Sequence, residues 1–437
     1  VSPLIIDIAI LVTLLVLGVP IPFCFVGAVM YLGLSTGMDM GQMMSAGFNS
    51  LNSITLLAVA AFILAGGLMN VTGIADRLVD FAEALVGRVK GGLGGVCIVS
   101  CAIIGAIAGT CSAAVASMGT VLIPKMEQQG YSRGYATGLI ACASVLGQLI
   151  PPSLPMVLFG FVLQLSVAAC FLSTVGPGII LILVYIVINR VMVGKMPGVV
   201  TQPPIPARQQ LKEIGGATKR GAWALVMPII ILGSIYGGLA IPTEAATISC
   251  GYAIFVGFVI YKGLTKRKLY GTFLSMGITT GVIILMIFFV MILGRLYAFE
   301  QIPQKIADGM MGISNNYYAV LLMINLFLIL LGMLMDDSSG TLLAAPLLFP
   351  IVKEIGVNPY HFAAIIGTNL GLGNVTPPCA PMLYLAARVG NVPFEKVIKP
   401  ALTFMVFGSI PVVLITTYWP DLALFLPRLI FPDIVGP

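Results

Sequence analysis

Apolar positions along this chain run in long blocks, without the two-sided alternation of a soluble helix or strand. Blocks at about 3–20, 21–37, 53–70 and 168–193, and again at about 220–240, 243–261, 273–294 and 400–418, reach or approach the roughly 20 residues that cross a hydrocarbon core. Residues 91–129 break at Gly105 and at "GTCS" (109–112), and 317–356 break at "MDDSSG" (335–340). Neither half of either stretch comfortably crosses, so each reads as a re-entrant helical hairpin. Residues 133–165 and 360–388 each carry a Pro-Pro break, in "GQLIPPSLPM" (147–156) and "GNVTPPCAPM" (373–382). The pattern predicts an all-α polytopic membrane protein.

The order of elements repeats. Residues 109–158 align with 335–384 at an offset of 226 without a gap, and eleven of the fifty positions are identical. The identities favour special residues: Ser112 with Ser338, Pro124 with Pro350, Gly147 with Gly373, Pro151 with Pro377, Pro152 with Pro378. Gly18–Pro22 parallels Gly238–Pro242 in the same way. Each copy then has about five spans plus one re-entrant hairpin, and because five is odd, head-to-tail copies must lie inverted in the membrane.

Composition agrees. The chain of 437 residues is 59% hydrophobic and only 9% charged, against about 25% charged in soluble domains. Its mean hydropathy is +1.08. The first apolar block has no basic segment ahead of it and reads as a span, not a signal peptide. If the 190–220 connection is cytoplasmic, so are 71–90, 125–133, 262–268 and 388–399, and about 18 of the 22 Lys and Arg residues fall on that side. Both termini are then expected in the periplasm of a multi-pass bacterial inner-membrane protein. The net charge of +6 calls for no nucleic acid, and the eight cysteines complete no metal-ligand spacing.

Chemistry concentrates at the interruptions. Proline removes a backbone donor, and unpaired backbone is tolerated at membrane depth only inside protein or beside a wet cavity. Half-helix N-termini there favour anions, and unwound carbonyls with hydroxyls favour small hard cations such as Na⁺. Candidate cation ligands are Gly109, Thr110 and Ser112 with Gly147 and Pro151, and Asp336, Ser338 and Gly340 with Gly373, Thr376 and Pro377. Candidate substrate contacts are Thr110, Cys111, Gln148 and Ser153 in one copy and Asp337, Ser339 and Asn374 in the other. A carboxylate within a span costs about 2.5–3.5 kcal/mol on insertion scales, which marks Asp336 as functional. Glu244 reads as a helix-start cap or an interdomain contact, and the lone His361 as a helix-start packing residue. No catalytic pair or nucleotide-binding motif appears, so the chain is not expected to be an enzyme, and energy must come from an ion gradient or a partner.

"GTVLIPKMEQQGY" (119–131), "GQLIPPSLPMVLFG" (147–160), "GLAIPTEAA" (238–246), "MDDSSGTLLAAPLLFPIVKEIGVNPYHFA" (335–363) and "GNVTPPCAPMLYL" (373–385) together resemble the large membrane subunit of TRAP transporters, the tripartite ATP-independent periplasmic transporters. The resemblance covers essentially the whole chain. It implies a Na⁺-driven secondary transporter of a small organic anion, a carboxylate or sulfonate, with about two transported Na⁺. It also implies a small four-helix membrane subunit, a periplasmic substrate-binding protein, and an elevator in which hairpins and broken helices move against a scaffold. On that basis residues 91–165 and 317–390 form the transport domain. Residues 1–90, 166–220 and 221–316 form scaffold and connection, and 391–437 the last span and C-terminus. The tips depart from the resemblance: Ala108-Gly109-Thr110-Cys111 stands where Ser-Gly-Ser-Ser is common, and Asp337 where a threonine is common. A symporter without a binding protein, a channel and an intramembrane enzyme are the competing readings.

Overall fold

A computed structural model describes residues 3–86, 91–196, 198–199, 207–314 and 316–436. Part of the 71–90 and 190–220 connections, the expected boundary at residue 90 and both terminal residues lie outside the described residues. Every described element is helical.

The spans start where the sequence supplies a cap. Ser53 accepts from Thr55 N at 3.3 Å to open Ile54–Thr72, Ser132 from Tyr135 N at 3.3 Å to open Arg133–Ala143, and Thr265 from Lys268 N at 3.3 Å to open Lys266–Phe299. Glycine in the left-handed region ends several, among them Gly73 (φ +80°) after Ile54–Thr72. Among the described residues, eight helices are long and apolar enough to cross a membrane. Pro3–Val16 and Ile21–Thr36 are shorter than the expected spans. Tyr317–Leu334, expected to be too short to cross, has the length and composition to do so, yet the chain turns at its end into Asp337–Glu354.

The first hairpin is Gly92–Ala108 followed by Cys111–Gln128, and the second is Tyr317–Leu334 followed by Asp337–Glu354. The first broken helix is Arg133–Ala143, Leu146–Leu149 and Leu154–Leu163, and the second is Pro359–Val375 and Pro381–Gly390. Both Pro-Pro peptide bonds, Pro151–Pro152 and Pro377–Pro378, are cis.

Outside this body, Ile54–Thr72 packs on Pro242–Phe255, and Ile21–Thr36 on Lys266–Phe299, two pairings related by the repeat. Two amphipathic helices, Ile74–Val86 and Ile302–Ile313, lead from this framework to the hairpins. The first buries Ile74, Ala75, Leu78, Val79 and Ala82 along one face and exposes Asp76 and Asp80 on the other.

Val167–Gly194, grouped with the scaffold in the sequence reading, packs against the hairpin and broken-helix body. Asn189 accepts from Tyr135 Oη at 2.8 Å and donates to Gly91 O at 2.8 Å, and Tyr185 Oη lies 2.6 Å from Ser409 Oγ. The last span joins the same body: His361 Nε2 donates to Thr416 O at 2.7 Å, and Thr417 Oγ1 to Asn325 Oδ1 at 3.1 Å.

Most connections expected on one face of the membrane do meet. Arg77 stacks over the Tyr261 ring at 3.6 Å, Lys125 lies 3.5 Å from Glu83, and Arg133 Nε donates to Gly390 O at 2.7 Å. At the other end Thr243 Oγ1 reaches Ile54 O at 3.2 Å, and Asn358 Nδ2 reaches Val435 O at 2.9 Å. Glu244 caps its own helix by accepting from Ile241 N at 3.0 Å.

Candidate functional site

Each hairpin tip is built by a turn that a helix N-cap can close. Gly109, at φ +68°, ends Gly92–Ala108, and Thr110 then accepts from Ala113 N at 3.4 Å to start Cys111–Gln128. In the second tip Asp336 plays the capping part. Its Oδ2 accepts from Ser338 N at 3.2 Å, and its Oδ1 accepts a short bond from Ser339 Oγ.

Each tip docks on the break of its own copy through paired glycines. A Cβ on Gly105 would fall 2.0 Å from Gly147 Cα, and a Cβ on Gly373 would fall 2.7 Å from Gly332 Cα. Leu154 N, just past the first break, donates to Gly109 O at 3.0 Å. The two breaks then differ in chemistry at one equivalent position. Gln148 sends its amide across to Gly367 O of the other copy at 2.8 Å. Asn374 turns its amide to its own hairpin, where, with its oxygen and nitrogen exchanged to suit the surrounding carbonyls, it donates to Met335 O at 3.1 Å and Gly332 O at 3.3 Å.

The tips meet each other. Cys111 and Asp337, equivalent residues at the first positions of their helices, lie close together, the Asp337 carboxylate toward the start of the Cys111 helix. Proximity of equivalent residues places the two-fold relation of the repeat between the tips. Next to them lies a cavity of about 640 Å³ lined by Thr110, Ser112, Asp336, Asp337 and Ser338 and walled by Asn70 and Thr279 from the framework helices. Among the described residues no Lys or Arg lines it.

The candidate residues thus divide. Thr110, Ser112, Asp336, Asp337 and Ser338 reach the cavity. Cys111 and Ser339 lie beside those carboxylates, and Ser339 Oγ also touches the framework at Met286 Sδ, 3.0 Å away. Gln148, Ser153 and Asn374 are buried behind it, as are Gly109, Gly147, Pro151, Gly340 and Gly373. Thr376 bonds Leu372 O at 2.6 Å, beside the half-buried Pro377. Buried oxygens without a hydrogen-bond partner among the described residues gather here: Gln148 Oε1 and Ser153 Oγ at the first break, Asp337 Oδ2 at the second tip. Sequence reasoning missed the framework wall, Asn70 and Thr279, because neutral residues inside apolar spans carry no pattern of their own.

Residues 8–422 match the family model described as tripartite ATP-independent periplasmic transporter, DctM component. The chain belongs to the DctM family of TRAP transporters. This TRAP permease is 35% identical to the sialic acid TRAP transporter large permease of Vibrio cholerae, over 95% of the chain and 96% of that relative. It is 32% identical to the isethionate TRAP transporter permease of Oleidesulfovibrio alaskensis, over 94% of the chain and 64% of the longer relative. It is also 32% identical to the C4-dicarboxylate TRAP transporter large permease of Pseudomonas aeruginosa, over 87% of the chain and 88% of that one. The YdaH transporter of Alcanivorax borkumensis shares the fold, with a TM-score of 0.59 at 14% identity over 87% of this chain and 89% of its own. The TRAP permease is a multi-pass protein of the bacterial inner membrane and a transporter subunit, not an enzyme.

Proposed function

We propose that this TRAP permease imports a small organic acid, carboxylate or sulfonate, driven by Na⁺ and by an elevator motion of the hairpin and broken-helix body. A periplasmic binding protein delivers the substrate, and a small four-helix subunit enlarges the framework. The observation that carries the reading is the cavity between two symmetry-related tips, where a capping carboxylate and hydroxyls sit beside two helix N-termini. The oxygens of Gln148, Ser153 and Asp337 that lack a partner among the described residues leave lone pairs free for a ligand.

The position of the cavity supports alternating access. Its framework residues, Ile63 to Asn70 and Met276 to Ile283, lie toward the ends of their helices that meet the basic connections. At the opposite end a second cavity, about 690 Å³, separates Ile54 and Gly238–Glu244 of the framework from Leu165–Ala168 of the moving body. With basic loops inside, this is an inward-facing arrangement, with both termini periplasmic and the vacated space on the outer side. A monoanion with two Na⁺ carries one net charge inward, worth roughly 2.3 kcal/mol per 100 mV.

The test is uptake into proteoliposomes holding the permease, its small subunit and its binding protein. Asp336→Ala is expected to remove the Na⁺ dependence of uptake while the purified complex stays folded. Uptake that keeps its Na⁺ dependence would take Asp336 out of the coupling site.

A further inference from the structure

The two tips are alike in backbone and opposite in charge. The first offers the N-terminus of Cys111–Gln128 with Thr110 and Ser112, and no carboxylate. The second offers two adjacent carboxylates, and they are not equivalent. Asp336 is engaged as a cap, with Ser338 N and Ser339 Oγ on its two oxygens. Asp337 is 3% exposed, lines the cavity, and keeps Oδ2 without a partner among the described residues. A buried carboxylate that is not neutralised is costly, and no cationic side chain among the described residues lines this cavity to neutralise it.

We propose that Asp337 is a specificity residue that binds a positively charged nitrogen on the substrate, so that this permease carries a zwitterionic acid: one acid group plus one ammonium or quaternary amine. This rests on the cavity being the substrate site, as proposed above. The acid group lies against the N–H groups and hydroxyls of the first tip, and the nitrogen against Asp337 at the second. Charge balance points the same way. The two carboxylates and about two bound Na⁺ sum to zero, wherever the ions sit, so a bound monoanion leaves the loaded site negative, whereas a zwitterion leaves it neutral for its passage through the membrane.

Pairs of acids that differ only in nitrogen against oxygen test this: taurine with isethionate, alanine with lactate, aspartate with malate. Binding is read from the thermal stability of the permease purified with its small subunit, in saturating Na⁺, and bound Na⁺ is counted with ²²Na⁺. The expected result is that the nitrogen member of at least one pair binds about tenfold tighter, and that Asp337→Asn and Asp337→Thr bring the ratio to one or below. Persistence of Na⁺ stabilisation in these variants shows that they are folded. A preference for the oxygen members that Asp337→Asn leaves unchanged overturns the proposal, as does a wild type that binds no nitrogen member. Loss of one bound Na⁺ in Asp337→Asn with unchanged pair ratios also overturns it, assigning Asp337 to a cation instead. A wild type indifferent to Na⁺ would fail the coupling reading alone, since the pair ratios still judge Asp337.

Discussion

Gly105 and Gly147 touch backbone to backbone, so closely that a Cβ on Gly105 would stand 2.0 Å from Gly147 Cα. Gly332 and Gly373 repeat the contact in the other copy, where a Cβ on Gly373 would stand 2.7 Å from Gly332 Cα. Backbone cannot swing aside as a side-chain end can, so added atoms must displace the tip. Gly105→Ala and Gly332→Ala are expected to destabilise the complex by about 1–3 kcal/mol, read as a lowered midpoint of thermal unfolding in detergent, and to slow transport. Gly277→Ala is the control: that position has open space within 4 Å of a Cβ, and alanine favours its helix.

Much of this architecture is legible in the sequence because the bilayer forces it to be. Apolar blocks must be long, and interruptions must be protected, so the hairpin tips at 109–112 and 335–340 and both Pro-Pro breaks stand out without a structure. The amphipathic helices Ile74–Val86 and Ile302–Ile313 do not stand out, since they are short and charged and read as connections. The packing of Val167–Gly194 on the hairpin and broken-helix body is equally hidden. Its apolar surface fits lipid or protein alike, and only contacts such as Tyr135 to Asn189 decide. The site shows the same limit. The residue types at the breaks announce polar chemistry, but whether Gln148 and Asn374 face a ligand or brace the backbone depends on direction, which spacing does not encode.

Asn325 joins three helices of the hairpin and broken-helix body. Its Oδ1 accepts from Asn369 Nδ2 at 2.9 Å and from Thr417 Oγ1 at 3.1 Å. Both donors also reach a carbonyl of their own helix, Ile365 O at 2.8 Å and Val413 O at 2.8 Å, so neither is stranded when Asn325 is lost. The expected coupling of Asn325→Ala with Asn369→Ala is therefore modest, about 0.6 kcal/mol and no more than about 1.7, the range of interhelical hydrogen bonds in membranes. A double-mutant cycle on unfolding measures it. Strict additivity would show that the contact contributes nothing.

Asp7, fully buried on the first helix, accepts from Tyr297 Oη at 2.8 Å, and its Oδ1 has no partner among the described residues. Removing the donor alone strands the carboxylate. Tyr297→Phe is expected to cost about 1–3 kcal/mol, whereas the double change Asp7→Leu with Tyr297→Phe should recover much of that loss, because both polar partners then leave together. Chemical unfolding of the detergent-solubilised complex gives both values. A double variant as unstable as Tyr297→Phe would show that the pair matters for something other than its hydrogen bond.

Phe62 of the framework meets Phe171 of Val167–Gly194 edge to face, with ring centroids 6.2 Å apart. The contact joins two parts that the proposed elevator would slide past each other. The second cavity, which has Ala58 of the framework helix and Ala168 of Val167–Gly194 on its walls, leaves space beside it for such a slide. Phe62→Cys with Phe171→Cys, in a background where the exposed Cys379 is replaced, should be joined by a short thiol cross-linker. Transport should stop on cross-linking and return when a cleavable linker is cut, because a few ångströms of tether do not permit a helix to travel. Neither single cysteine variant should respond. If the cross-linked protein transports at its former rate, these two helices do not move relative to one another. The boundary between framework and moving body would then lie on the other side of Val167–Gly194, against the first hairpin, even though Asn189 bonds Gly91 O there.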